Sequence, residues 1–242
     1  MLEIQTIFDD EQKNNAHAHR VTDIKEAVRD RNRVNIYIDS KYYCSLDISQ
    51  VVDFGVKIGR EFSEEELAQL KRASDFGKFY SRALEYVLMR PHSTKEIKDY
   101  LKRKTINKKV RIRNSKTGEY QTKIREGYDA SLMPLVIERL EQHGHLDDER
   151  FARIWVENRH IKKGISNRKL RNELAEKGID KRIIDAVLQD DARNEREELR
   201  KVIARKANRY TDRQKLMQYL VRQGFNYSDV SEELSTFSSD GA

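Results

Sequence analysis

Cysteine is almost absent from this chain. Cys44 is the single one in 242 residues, so neither a disulfide framework nor a multi-cysteine zinc site can be built. Proline occurs twice and aromatic residues make up 8%, and apolar residues reach only 37%, matched by an equal 37% of charged ones. Cores built from such a composition are thin. No apolar run approaches the roughly 20 residues that a membrane span needs. The opening MLEIQTIFDDEQ lacks the basic flank and apolar core of a signal peptide. The expectation is a cytoplasmic protein with no membrane partner. Nucleotide-binding, zinc-protease and hydrolase signatures of the types G-x-x-x-x-G-K-[ST], H-E-x-x-H and G-x-S-x-G are missing as well. We therefore expect no enzyme, no catalytic residue, no cofactor and no metal. His143, His145, Asp147 and Asp148 form a loose ligand-like group, but Asp147 is explained as a helix cap. Cys44 reads as a small packed side chain on a strand, and Trp155 as core.

What the chain does have is internal repetition. Ser166, Leu170, Leu174, Gly178, Ile179, Ile184 and Leu188 recur as Asp212, Leu216, Leu220, Gly224, Phe225, Val230 and Leu234, always 46 residues on. An earlier copy begins at Ser93, Ile97 and Leu101 with an offset of 73. It resumes at Met133, Val136 and Ile137 with an offset of 51, so 22 residues are inserted within it. Units related in this way stack to bury apolar faces that none can bury alone. Each unit reads as three helices. Asp147, Ser166 and Asp180 are N-caps, Gly178 is a left-handed stop, and Ser93 with Glu96 forms a capping box. Pro134 blurs the start of the last helix in the first unit.

The first sixty residues follow another pattern. Val34, Ile36 and Ile38 alternate with polar neighbours, turn at Asp39-Ser40-Lys41 and continue into Tyr42–Leu46, a β-hairpin signal. Leu2, Ile4, Thr6 and Phe8 carry the period of a third strand, while Val21, Ile24 and Val28 have the spacing of a short amphipathic helix. Ser63 and Glu66 form an S-x-x-E box that opens the helical region. The expected fold is mainly α: three tandem three-helix repeats in an elongated, curved body, with a small N-terminal β-hairpin segment and a second hairpin inserted in repeat 1. The expected boundaries are 1–62 for the β-containing segment, 63–145 for repeat 1 with its insertion at 105–126, 146–190 for repeat 2, 191–236 for repeat 3 and 237–242 for a tail.

Lys and Arg outnumber Asp and Glu by 48 to 41, a net charge of +7. That surplus is small, so its distribution matters more. Lys108, Lys109, Arg111, Arg113, Lys116, Lys123 and Arg125 load the inserted hairpin, opposed only by Glu119 and Glu126. Arg150, Arg153, Arg159, Lys162, Lys163, Arg168 and Lys169 crowd the first two helices of repeat 2, and Arg205 and Lys206 fall on one helix of repeat 3. These are the candidate contacts for a polyanion. The plainer reading is solvated helix faces with local partners, such as Arg153 with Glu157. Tyr120 and Tyr128 stand beside the charges, available for base stacking or for packing.

The run Gly144-His145-Leu146-Asp147-Asp148-Glu149-Arg150-Phe151-Ala152 resembles the G-x-L-D-D-x-x-F-A signature of the RecX family, regulators of the RecA recombinase. Ala83-Leu84 and Arg90-x-His92-Ser93 with Glu96 before it, and Lys163-Gly164, Leu174 with Lys177-Gly178-Ile179, and Gly224-Phe225 after it, resemble the family's further motifs in the family's order. The likeness covers roughly residues 75–236, and Arg33–Asp39 with Leu67 resembles the family's N-terminal hairpin. Residues 9–32 and 105–126 look like additions, to which no family role transfers. The resemblance implies a cytoplasmic regulator that binds RecA filaments on DNA and restrains ATP hydrolysis and strand exchange; we expect the protein itself to be a monomer. It also implies that Asp147, Asp148 and Phe151 build the fold. Single- or double-stranded DNA is a further partner on this reading. The alternatives are a stand-alone DNA-binding helical repeat and a purely structural adaptor.

Overall fold

The computed structural model describes residues 18–237, except residues 29, 115–116, 160–162 and 211. The expected strand at Leu2–Phe8 lies outside them, as do the candidate contacts Lys116 and Lys162. The protein is mainly helical with a small N-terminal sheet, and it divides into two compact units. One runs to Glu85 and includes Lys104–Val136; the other comprises Tyr86–Arg103 and the chain from Ile137 on.

In the first unit four antiparallel strands pair in the order β3-β2-β1-β4: β1 His19–Ala27, β2 Asp30–Ile38, β3 Lys41–Asp47 and β4 Glu61–Phe62. Alternation carries Ile36 and Ile38 inward beside Cys44 and Leu46, and Phe62, Leu67 and Leu70 close the core. Burial pushes the Cys44 thiol up to about 11, in keeping with a packed side chain. Asp39 and Ser40 both take positive φ, 48° and 65°, the geometry of a primed two-residue hairpin turn.

The short helix expected at Val21, Ile24 and Val28 is instead strand β1. Its register shifts between Val21 and Asp23, so that Val21 faces Ile38 while Ile24 faces Ile36. A bulge of this kind sets three residues of one strand against two of its partner, so an i, i+3 apolar spacing still points to one face. Val28 is fully exposed. A short helix, α1 (Ile48–Asp53), follows with a capping box between Asp47 and Gln50. Then α2 (Glu64–Val87) opens on the expected box: the Ser63 amide donates to Glu66 at 2.9 Å and the Glu66 amide to Ser63 Oγ at 3.2 Å.

The remaining elements are α3 (Thr94–Lys104), the hairpin strands β5 (Lys108–Arg113) and β6 (Tyr120–Arg125), and α4 (Met133–Gln142), then α5 (Asp148–Asn158), α6 (Asn167–Glu176) and α7 (Lys181–Asp190), and finally α8 (Glu195–Lys206), α9 (Arg213–Arg222) and α10 (Tyr227–Phe237). A 3-10 turn, Ala130–Leu132, leads into α4, whose first turn accommodates Pro134. Asp147, Ser166 and Asp180 cap α5, α6 and α7 through their side chains. Helices α6 and α9 end alike. The Ile179 amide reaches Leu174 O while Gly178 reaches Ala175 O, and the Phe225 amide reaches Leu220 O while Gly224 reaches Val221 O. Both are Schellman endings, and they require the positive φ of 79° at Gly178 and 98° at Gly224. Two separate apolar clusters follow the repeat. One joins Phe151, Val156, Leu170, Leu174, Ile184 and Leu188, and the other joins Leu199, Ile203, Leu216, Leu220, Val230 and Leu234.

Candidate cationic interface

Strands β5 and β6 pair antiparallel from Lys108 opposite Arg125 to Arg113 opposite Tyr120. Opposed residues share a face of the ribbon. One face therefore carries Lys108, Lys123 and Arg125 around Val110 and Ile112, and the other carries Lys109, Arg111 and Arg113 beside Ile124 and Tyr120. These six cations are exposed, and among the described residues none of them forms an ion pair with a carboxylate. Arg111 instead lies 4.9 Å from the centre of the Tyr120 ring. The base of the ribbon is anchored where Tyr128 stacks on Phe79, with ring centres 4.5 Å apart, and where the Tyr128 amide donates to Lys104 O at 3.0 Å. Of the two tyrosines considered for base stacking, Tyr128 is thus engaged in packing and Tyr120 is open to solvent.

The cations of the repeats separate into two groups. Arg153 bonds Glu149 at 2.9 Å and Asp190 at 3.1 Å, rather than Glu157. Arg159 clasps Glu173 through two bonds of 2.7 and 3.0 Å and lies over the Trp155 ring, and the carboxylate holds the guanidinium further toward its charged form. Trp155 packs on the repeat 2 core and donates its indole N–H to Glu173 at 3.3 Å. Arg150, Lys163, Arg168 and Arg205 are exposed without an ion pair among the described residues. Arg150 borders a cavity of about 260 Å3 together with Val87, Leu88, His92, Phe151 and Ile154. Asp147 of the loose His/Asp group caps α5, and Asp148 accepts from the Thr94 amide at 2.7 Å.

Two repeat junctions organise these side chains, and their frames match bond for bond. At the first, Ser93 Oγ donates to Lys177 O at 2.7 Å and the Thr94 amide donates to Asp148. At the second, Ser166 Oγ donates to Gln223 O at 2.6 Å and the Asn167 amide donates to Glu195 at 3.2 Å. Both serines also cap their own helices, and both are fully buried. Only half of the expected Ser93 capping box forms. The Glu96 amide donates to Ser93 Oγ, but the Glu96 carboxylate binds Lys177 Nζ at 2.7 Å and Arg90 at 3.1 Å. Burial pushes the Glu96 carboxyl up, but the hydrogen bonds from Arg90 and Lys177 together outweigh it, so the group titrates below its usual range.

At the second junction Lys163, Lys169 and Arg205 meet around a cavity of about 110 Å3 that is also lined by Ser166, Val202, Tyr219, Gln223 and Phe225. Lys169 donates to the Gln223 side chain at 2.9 Å, and Lys206 lies 5.6 Å from the centre of the Tyr219 ring. The structure thus collects Lys163, Lys169, Arg205 and Lys206, all expected from the sequence to meet an anion, at one place. Tyr219 and Gln223 are not among the residues the sequence pattern singles out, although the 46-residue offset already aligns them with Glu173 and Lys177.

Two family models match the chain: the RecX N-terminal domain over residues 19–63, and the second three-helix domain of RecX over residues 147–188. Among curated relatives, the regulatory protein RecX of Bacillus licheniformis is 28% identical over 88% of this chain and 76% of its own length. That of Clostridium acetobutylicum is 29% identical over 91% and 97%. A crystal structure of a regulatory protein RecX superposes with a TM-score of 0.67 at 24% identity, covering 90% of this chain and 99% of that one. RecX from Lactobacillus salivarius gives 0.50 at 22% identity, covering 68% and 99%.

Proposed function

The chain belongs to the RecX family of regulatory proteins, and from that premise we propose that it binds filaments of RecA on DNA and restrains their ATP hydrolysis and strand exchange. The observation that carries this reading is the division of its cations. Arg153 and Arg159 are held by the protein's own carboxylates, while the hairpin cations, Arg150, Lys163, Arg168 and Arg205 are left for an external anion. A nucleoprotein filament offers such anions as phosphates and as acidic side chains. Contact with adjacent subunits at once would favour one arrangement of the filament and oppose the rearrangement that each turnover requires. In this reading Asp147 and Ser166 hold the scaffold, and the role is that of a regulator rather than a catalyst.

A second reading, direct DNA binding by this protein alone, is favoured by the hairpin, whose two faces both carry cations. A two-stranded ribbon fits the major groove of B-DNA, where phosphates flank it on either side. Two assays separate the readings: the DNA-dependent ATPase of RecA at substoichiometric amounts of this protein, and DNA affinity across a salt series without RecA. Inhibition of the ATPase is the expected result. Unchanged ATPase beside tight, salt-sensitive DNA binding would replace the first reading with the second.

A further inference from the structure

The two repeat junctions superimpose in sequence as well as in hydrogen bonding. The offset of 73 residues pairs Arg90 with Lys163 and Glu96 with Lys169, and the offset of 46 pairs Glu173 with Tyr219 and Lys177 with Gln223. The first helices of repeats 2 and 3 align one residue further on, since their caps are Asp147 and Asn194, which pairs Arg159 with Lys206 and Asn158 with Arg205. At the first junction Arg90 and Lys177 close on Glu96, and Arg159 closes on Glu173. At the second, both carboxylates are gone. A lysine stands where Glu96 would be, a tyrosine stands where Glu173 would be, and Arg205 adds a charge where the first junction has Asn158.

We infer that the second junction is a binding site for a phosphate group, held by Lys163, Lys169 and Arg205 in the place that the first junction fills with Glu96. None of the residues lining the cavity of about 110 Å3 is acidic. Glu198, under Gly164, is already engaged: it accepts from the Ile165 amide at 3.0 Å and from Lys201 at 2.6 Å. Lys169 and Gln223 also border an open groove that contains Glu173 and Glu176, but Glu173 is clasped by Arg159. Unneutralised like charges in one pocket repel, and an external anion relieves that repulsion. The three cations reach the cavity from a loop, from α6 and from α8, and Ser166 and Gln223 add polar groups. Donors converging from several sides suit the tetrahedral oxygens of phosphate better than the two coplanar oxygens of a carboxylate. The half-buried Tyr219 ring at the same cavity gives an attached nucleoside a surface to lie on. The phosphate can come from a nucleic-acid backbone or be free in solution.

This deepens the reading of a polyanion-binding regulator, and its test contains no RecA, so the two can fail separately. The melting temperature of the full chain is measured against inorganic phosphate, with sodium chloride at equal ionic strength as control, for the native protein, Lys169→Glu and Arg205→Gln. Binding to the folded state alone raises stability by RT ln(1 + [L]/Kd). The native melting temperature should rise with phosphate beyond the chloride control. Lys169→Glu rebuilds the self-neutralised arrangement of the first junction, so it should melt no lower and show no phosphate response. Arg205→Gln, exposed and without an ion pair, should fold normally and lose most of the response. A single-stranded oligonucleotide then assigns the source. If Lys169→Glu weakens its binding several-fold and lowers the log–log salt slope by about 0.7, the value for one phosphate on a single strand, the phosphate is that of the backbone. Unchanged oligonucleotide binding beside an abolished phosphate response would assign the site to free phosphate. A native response equal to that of chloride, or one that persists in Lys169→Glu, would overturn the inference.

Discussion

At the first repeat junction Arg90, Arg159 and Lys177 meet the carboxylates Glu96 and Glu173, and at the second Lys163, Lys169, Arg205 and Lys206 meet Gln223 and the Tyr219 ring. The backbone frame beneath is the same in both: a buried serine caps one helix and donates to the C-cap carbonyl of the corresponding helix in the next repeat. Short-range, directional hydrogen bonds set that frame, and they tolerate few substitutes. Ion pairs above it are softer and depend on whichever side chains reach across, so the same frame can present a neutralised surface or a cationic one. Repetition supplies the scaffold, and departures from it supply the candidate sites.

The largest effects should come from breaking the close backbone packing at the second junction. Gly224 has a φ of 98°, and a Cβ there would meet Ser166 Oγ at 2.7 Å; at Gly164, φ 72°, it would fall on the Glu198 carbonyl oxygen. Gly224→Ala and Gly164→Ala should each cost about 3 kcal/mol in urea unfolding, combining left-handed strain with displaced neighbours. Gly144→Ala, where φ is 67° but nothing lies within 4 Å, should cost only about 1 kcal/mol. If all three cost the same, the close junction packing is not what demands glycine at Gly164 and Gly224.

Next in size, Ser93→Ala and Ser166→Ala each remove a helix cap and a buried donor to a carbonyl. A loss of about 1–3 kcal/mol is expected for each, and the two should be similar. A large inequality in chemical unfolding would mean that the two frames are not equivalent.

Glu96→Gln tests the difference between the junctions. It should destabilise by about 1–2 kcal/mol near neutral pH, because Arg90 and Lys177 lose their charged partner. The folded-state titration of Glu96 lies below the unfolded value of about 4.3, so its contribution is fully present above that value and is lost as the pH falls through the depressed one. Unfolding free energy measured between pH 6 and 3 should therefore fall less steeply in Glu96→Gln than in the native protein. The smallest effect on stability is expected at the hairpin, where among the described residues the cations have no internal carboxylate partner. Replacing Lys108, Lys109, Arg111 and Arg113 with Ala should leave the melting temperature nearly unchanged while weakening DNA binding, with the salt slope reduced by about 0.9 for each duplex phosphate that is no longer neutralised. Collapse of the fold would show that the ribbon has a structural role.

Much of the architecture is legible in local patterns. Ser63 with Glu66, Asp147, Ser166 and Asp180 signal helix starts because a short oxygen-bearing side chain can satisfy the free amides of a first turn. The alternation around Val34–Ile38 and Val110–Ile124 signals both hairpins. What misleads is a pattern with two physical sources: the spacing of Val21 and Ile24 fits one turn of helix, yet a bulge in β1 produces it too. The candidate site is less legible. Lys163, Lys169 and Arg205 can be named as cations from composition, but their convergence on one cavity depends on a loop and two helices from successive repeats.

Composition, periodicity and the 46-residue echo by themselves determine helical repeats, their caps and stops, and an unusually basic inserted ribbon, because each of these depends on residues within a few positions of one another. Which cations are neutralised by carboxylates distant in the chain was decided only by tertiary structure. Arg159 and Glu173 are 14 residues apart and Lys177 and Glu96 are 81 apart, and an ion pair depends on distance in space.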